Sequence, residues 1–283
     1  MVSLKKNKEA LWLLNEKYNG IENHDFFEDL KKIESGEPVD YVIGFANFLG
    51  TKIDLSYHSL IPRQETEWWV EKAVSLIIAN SSPDGVSDPV RNVSVLDLFA
   101  GSGCIGISIL KHLADTFVDF GEKDPLLIKQ IEKNLEINNL PIAGRGSPDP
   151  VRNVSNGVRD TRPAVRANVC ETDIFTNIPP KKYDYIFANP PYISHDRKWQ
   201  VAKPVLEYEP HLAIFADDEG LFFVKKLLNE APEFLTEDGK MFIEFDQWQK
   251  EKIEELVNES KFEGEFWKDQ NDKWRVVVLS ARK

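Results

Sequence analysis

Two consecutive prolines at the end of an apolar run constrain this chain more than any other feature. Tyr185-Ile186-Phe187-Ala188 is apolar, partly β-branched and aromatic, and reads as a strand. The run stops at Asn189-Pro190-Pro191-Tyr192. Neither proline has a backbone N–H to give a sheet, and each fixes its own φ. The residue before a proline is pushed to extended geometry, so Asn189 and Pro190 are both confined. A stiff loop at the carboxyl end of a strand results, and open α/β sheets bind ligands at that end. The bland use of such a loop is a rigid turn capping a core strand. The chemical use rests on acceptors. The Asn189 side-chain oxygen and the Pro190 carbonyl can take both hydrogens of one planar –NH2 group. Tyr192 offers a flat ring to lie against an amide or a base. Holding both N–H hydrogens turns the nitrogen toward an electrophile and favours the positive charge that develops on it.

A second strand ends in glycines. Val93, Val95, Leu96, Leu98 and Phe99 read as a buried parallel strand. Ala100-Gly101-Ser102-Gly103-Cys104-Ile105-Gly106 then turns into an apolar helix from Ile107 to Leu113. Such a turn brings a ligand against backbone amides at a helix N-terminus. Asp97 can brace the loop from the strand. The preceding Asp-Leu-Phe-Ala makes it an adenosylmethionine-type loop more than a dinucleotide loop; nucleotide binders share the glycine spacing. Phe117 to Glu122 is the next strand, and an acid at its end can take the ribose hydroxyls of an adenosine. Alone, Glu122 would be a solvated loop acid; strand, glycine loop and strand-end acid in order favour the binding role. Val169 to Phe175 resumes the sheet, with Asp173 and Ile174 at its end, where an adenine edge and face can be met.

Alternating strands and helices predict a doubly wound, mainly parallel α/β sheet of the seven-stranded Rossmann-like type. Further helices are expected at Leu126 to Leu140, Leu221 to Phe234 and Gln247 to Asn258. A turn is expected at Glu237-Asp238-Gly239, and strands at Lys240 to Phe245 and Trp274 to Leu279. The 283 residues suffice for one large domain and a small one. Ala10 to Tyr18 and Phe26 to Ile33 carry helical periodicity, so residues 1–38 form a helical section. Residues 39–60 are rich in strand formers, and Gly50 marks a hairpin turn linking to the large domain, 61–283. Leu60-Ile61-Pro62-Arg63-Gln64-Glu65-Thr66-Glu67 is either a proline-led helix start or a joint whose Arg63 or Thr66 borders a pocket; the two readings stand level. Residues 141–166 read as a loop insertion. Ser147 to Ser155 nearly repeats Ser87 to Ser94, consistent with a spread sequence element. A basic binding loop of Arg145, Arg152, Arg159, Arg162 and Arg166 is the rival.

Several function classes fall away. The net charge of −12 disfavours a duplex nucleic-acid partner. No apolar run approaches a membrane span and no signal peptide is visible, and two cysteines suit a reducing cytosol. His195 and His211 have no serine or cysteine partner, and no residues show metal-ligand spacing.

The chain resembles the HemK/PrmC protein-glutamine methyltransferases, over nearly its whole length. Ile61-Pro62-Arg63-Gln64-Glu65-Thr66-Glu67 is similar to the family's I-P-R-P-E-T-E. Asp97 to Gly103 matches its cofactor loop, and Glu122 stands where the family has a ribose-binding Asp. Asp173-Ile174-Phe175 resembles its D-W-F segment at the adenine. Asn189-Pro190-Pro191-Tyr192 matches the substrate motif. Tyr208-Glu209-Pro210 through Leu221 resembles its E-P-x-x-A-L-x-x-G-x-D-G-L stretch. The resemblance implies methylation of the glutamine of the Gly-Gly-Gln motif in class 1 peptide chain release factors, with S-adenosyl-L-methionine. It implies that the helical N-terminal section helps hold the factor; a cytoplasmic monomer is expected. The implied cofactor contacts are Asp97, Phe99, Ala100, Gly101, Ser102, Gly103, Glu122, Asp173, Ile174 and Asn189. The implied catalytic residues are Asn189, Pro190 and Tyr192, with Pro191 beside them at the substrate. Gln64, Phe99 and Ile174 depart from the family's proline, glycine and tryptophan, and the last two bear on cofactor affinity. Asn-Pro-Pro-Tyr also occurs in enzymes that methylate adenine N6 in flipped DNA or RNA bases, which is the alternative. A non-catalytic adenosylmethionine-binding protein is the other.

Overall fold

The computed structural model describes residues 8–81, 93–113, 115–142 and 167–282. Apart from Val93 and Ser94, both near-repeats lie outside the described residues. So do the five arginines and all of 141–166 except its first two positions.

Three helices open the described chain: α1 (Lys8–Tyr18), α2 (His24–Glu34) and α3 (Val39–Ile43). The Asn23 side chain accepts from the Phe26 N–H and caps α2. Leu13, Phe26, Ile33, Val39, Val42 and Ile43 form their shared core. The expectation of extended chain from Val39 is corrected here. Its β-branched residues bury their side chains against α1 and α2, and that packing outweighs a weak local preference. The hairpin at Gly50 is present, with β1 (Phe45–Phe48) pairing antiparallel to β2 (Thr51–Asp54).

Next come α4 (Gln64–Ser81), β3 (Val93–Leu98), α5 (Cys104–His112), β4 (Thr116–Glu122), α6 (Pro125–Ile137), β5 (Ala167–Glu171) and β6 (Tyr183–Ala188). The short β7 (Ile193–Ser194), α7 (Lys203–Tyr208) and β8 (Phe215–Ala216) follow. The chain continues through α8 (Phe222–Glu230), β9 (Leu235–Glu244), α9 (Lys250–Glu259), β10 (Phe262–Lys268) and β11 (Trp274–Ala281). Seven strands make one sheet in the order β10-β11-β9-β6-β3-β4-β5. Pairs from β9 through β5 are parallel, while β11 runs against both its neighbours. The expected turn at Glu237-Asp238-Gly239 lies inside β9, where pairing with β6 skips from Leu235 to Lys240. Strand β10 had no counterpart in the expected elements.

Each face of the sheet is covered by helices. Trp69, Ile107, Ile131, Phe187 and Phe242 belong to one buried layer, and Leu98, Ile186, Leu227 and Ile253 to the other. Both central strands are dominated by apolar side chains for that reason. The chain leaves β3 toward β4 and later returns to β6 on the opposite side. The carboxyl ends of β3 and β6 therefore flank the switch point where such sheets open a crevice. Among the described residues no helix is long and apolar enough to cross a membrane.

Candidate active site

A cleft of about 370 Å³ opens at that switch point. Its floor comes from the turn after β3: Phe99, Ala100, Gly101 and Ser102 line it. Gly106 lets α5 lie directly on the sheet. A Cβ there would stand 2.4 Å from the Phe120 ring and 3.0 Å from Asp97 Oδ2. Asp97 is fully buried beneath the loop, and its Oδ2 accepts from the Gly106 N–H at 2.9 Å. Burial pushes its carboxyl up to about 8, against the opposing pull of that hydrogen bond. Its Oδ1 has no hydrogen-bond partner among the described residues. Phe99 holds φ at +57°, a left-handed value for a position where the resembling family has glycine. Its ring packs edge-on against Phe223, centroids 5.0 Å apart.

Glu122 ends β4 and lines the cleft. Its Oε2 accepts from the Gly101 N–H at 2.8 Å, and its Oε1 from the N–H groups of Lys123 and Asp124 at 2.8 and 2.9 Å. Burial raises its pKa, opposed by these three bonds. A carboxylate has about four lone-pair sites, so three are already engaged. Asp173 and Ile174 line the same wall beyond β5, with Asp173 paired to Lys123 at 2.9 Å.

Asn189 and Pro191 line the opposite side of the cleft. Gly103, Asp97, Pro190 and Tyr192 stand behind this lining: Gly103 caps the start of α5, Asp97 and Pro190 are buried, and Tyr192 is half-buried. The Tyr192 hydroxyl donates to Glu244 Oε1 at 3.2 Å, and burial together with that carboxylate raises its pKa. Behind the loop, Gln249 Nε2 donates to the Tyr192 carbonyl at 3.0 Å and to the Glu219 carbonyl at 3.1 Å. Gly220, at φ +84°, leaves room for this. A Cβ would sit 2.1 Å from the Tyr192 carbonyl oxygen.

Arg63 and Thr66, which sequence alone left undecided, both line the cleft. Arg63 Nη2 meets Glu209 Oε1 at 2.6 Å, and the Ile61 N–H reaches Glu209 Oε2 at 3.1 Å. This pins the start of α4 to the Tyr208-Glu209-Pro210 stretch. Glu244, at the end of β9, was not anticipated. Its Oε2 accepts from Thr66 Oγ1 and Trp69 Nε1, each at 2.7 Å. A single acid within Met241-Phe242-Ile243-Glu244-Phe245 was the available sign, because an acid buried in a central strand needs donors around it. His195 and His211 rest their rings against Phe215, at 5.3 and 5.6 Å.

The geometry can therefore be set beside known proteins. No protein-family model matches the chain. It is 30% identical over 274 residues to the release factor glutamine methyltransferase of Streptococcus pneumoniae, covering 96% of this chain and 85% of that protein. The enzyme of the same description from Flavobacterium psychrophilum is 28% identical over 234 residues, 82% of this chain and 71% of that one. The bifunctional methyltransferase of Rickettsia typhi is 27% identical over 288 residues, and this chain spans only 51% of its length. Among solved structures, the hMettl16 catalytic domain in complex with a MAT2A 3′UTR hairpin superposes with TM-score 0.53. It is 15% identical, and the match covers 83% of this chain and 77% of that one, a likeness of fold. With its aligned length and its 30% identity to the streptococcal protein, the chain belongs to the release factor glutamine methyltransferase family.

Proposed function

We propose that this protein methylates the side-chain amide of the glutamine in the Gly-Gly-Gln motif of class 1 peptide chain release factors, using S-adenosyl-L-methionine. The observation that carries the reading is Asn189, at the end of β6, facing the glycine loop of β3 across one cleft. The residues fit the cofactor. Backbone amides at the start of α5, a strand-end carboxylate at Glu122 and the apolar side chain of Ile174 line one continuous wall. Ser102 and the loop amides would hold the amino-acid end, Glu122 a ribose hydroxyl through its remaining lone pair, and Asp173 and Ile174 the adenine. When bound, the cofactor supplies an electrophilic methyl group.

The chain's own work is orientation. We assign one amide hydrogen to Asn189 Oδ1, which faces the cleft; the Pro190 carbonyl, assigned the second, and the Tyr192 ring, assigned the amide plane, stand just behind the cleft lining. This aims the nitrogen lone pair toward the cofactor side of the cleft and meets the charge that grows on nitrogen. Positioning and exclusion of water supply most of the acceleration. No strong base is assigned, since the methylated nitrogen is acidic enough to release its proton unaided. Residues 1–38, on whose helices Trp12 and Phe27 are exposed, serve to hold the factor, and 39–60 links them to the catalytic domain, 61–283. The protein acts as a cytoplasmic monomer. Asn189→Ala tests the reading: transfer falls at least 100-fold while calorimetry finds cofactor binding intact. Unchanged turnover would remove Asn189 from the mechanism.

A further inference from the structure

An asparagine amide presents an acceptor at one end and a donor at the other, and the glutamine reading needs the acceptor in the cleft. Something must decide which end faces inward. Asn189 Nδ2 lies 3.5 Å from Thr66 Oγ1. That contact is long, as site hydrogen bonds often are without substrate. Thr66 Oγ1 lies 2.7 Å from Glu244 Oε2, and the same oxygen takes the Trp69 Nε1 hydrogen at 2.7 Å. Thr66, Trp69 and Glu244 are all essentially buried.

These contacts have one consistent direction. An indole N–H can only donate, so Glu244 Oε2 must be an acceptor. The Tyr192 hydroxyl donates to the other oxygen, Oε1, at 3.2 Å, so all three donors around this carboxyl among the described residues point at it. Oε2 accepts from both Thr66 and Trp69, so the single hydroxyl hydrogen of Thr66 is spent on it. Thr66 Oγ1 then has only lone pairs left for Asn189. An inward-turned Nδ2 would set Asn189 Oδ1 against that oxygen with no hydrogen between them.

We propose that Glu244 and Thr66 form a polarity relay that orients the Asn189 amide, holding Nδ2 outward and presenting Oδ1 to the substrate –NH2. Thr66 and Glu244 are positioning residues in this account: they act through Asn189. The catalytic part of the proposal rests on the glutamine reading, whereas the orientation itself exists without substrate.

Two measurements separate these. In the first, the full chain is labelled with nitrogen-15 and examined without substrate. The Asn189 side-chain NH2 signals are assigned by their loss in Asn189→Ala. Thr66→Val, which keeps the shape and removes the hydroxyl, is expected to move those proton signals upfield and speed their exchange with water. Thr66→Ser is expected to keep both near wild type. Equal spectra for the two variants would overturn the relay, whatever the substrate proves to be. In the second, transfer to a release factor is timed. Thr66→Val and Glu244→Gln are each expected to lower kcat about tenfold, as expected for a lost hydrogen bond, with KM and calorimetric cofactor affinity within about twofold. The glutamine amide can donate to Thr66 and so free the hydroxyl from its fixed direction. Thr66→Ser recovers most of the rate. An equal loss in Ser and Val variants, or wild-type kcat in Glu244→Gln, would overturn the positioning role. A wild-type protein inert toward the factor would refute the glutamine reading and leave the spectra to decide the relay.

Discussion

Gly220→Ala turns the packing behind the Asn189 loop into a rate. The new Cβ would lie 2.1 Å from the Tyr192 carbonyl oxygen, 2.9 Å from its carbon and 2.6 Å from Gln249 Nε2. Favourable contact begins near ~3.5 Å, so the Tyr192 carbonyl must retreat by about 1 Å or more. Holding alanine at φ +84° adds about 1–2 kcal/mol of backbone strain. Displacing Gln249 endangers two hydrogen bonds, at 3.0 and 3.1 Å, each worth about 0.5–1.5 kcal/mol. The sum is about 2–5 kcal/mol, or a fall in Tm of roughly 5–15 °C at this chain length. The same displacement is passed to Asn189, only three residues before Tyr192. A misplacement near 1 Å costs about 100-fold in rate. The assay is kcat for transfer to a release factor, with calorimetry for the cofactor and a thermal melt alongside. Cofactor affinity should change less than about threefold, because Gly220 does not line the cofactor cleft. A kcat within about threefold of wild type would refute the claim that Gly220 holds the loop.

Arg63→Ala leaves the Glu209 carboxylate, whose side chain is 1% exposed, with the Ile61 N–H as its one hydrogen-bond donor among the described residues. Breaking a buried pair costs about 3–5 kcal/mol; with Arg63 at 31% exposure, about 2–3 kcal/mol is expected by denaturant unfolding. Asp97 sets a pH dependence. Its folded pKa of about 8 exceeds the ordinary aspartate value near ~4, so the folded protein keeps a proton that the unfolded chain loses. Stability from this group is full below about pH 4 and drains as pH rises toward 8, by at most ~1.4 kcal/mol per unit. Asp97→Asn should flatten the dependence of unfolding free energy between pH 6 and 8; an unchanged slope would contradict it.

Much of the fold was legible because the central strands carry its signal undiluted. Val95 to Leu98 and Ile186 to Ala188 are buried on both faces, so apolar segments and strands coincide there. Edges were harder. Strand β10 reads Phe-Glu-Gly-Glu-Phe-Trp-Lys, and the acids and glycine of an edge strand hide its periodicity. Helix α3 is written in strand formers and is helical only because α1 and α2 receive its apolar face. The site divides in the same way. Asn189 and the glycine loop announce themselves through prolines and glycines, which act locally. Glu244 meets Thr66 across 178 positions, and nothing near either residue points to the other. Two of the departures, Phe99 and Ile174, adopt positive φ, and Phe99 does so where the resembling family has glycine.

The central claim is glutamine methylation, and its most direct measurement is transfer of labelled methyl from S-adenosyl-L-methionine. Three substrates are offered side by side: a class 1 release factor, the same factor with its Gly-Gly-Gln glutamine replaced, and an adenine-containing oligonucleotide. The account predicts label on the intact factor alone. Label on the oligonucleotide, or equal label on the factor lacking its glutamine, would contradict it.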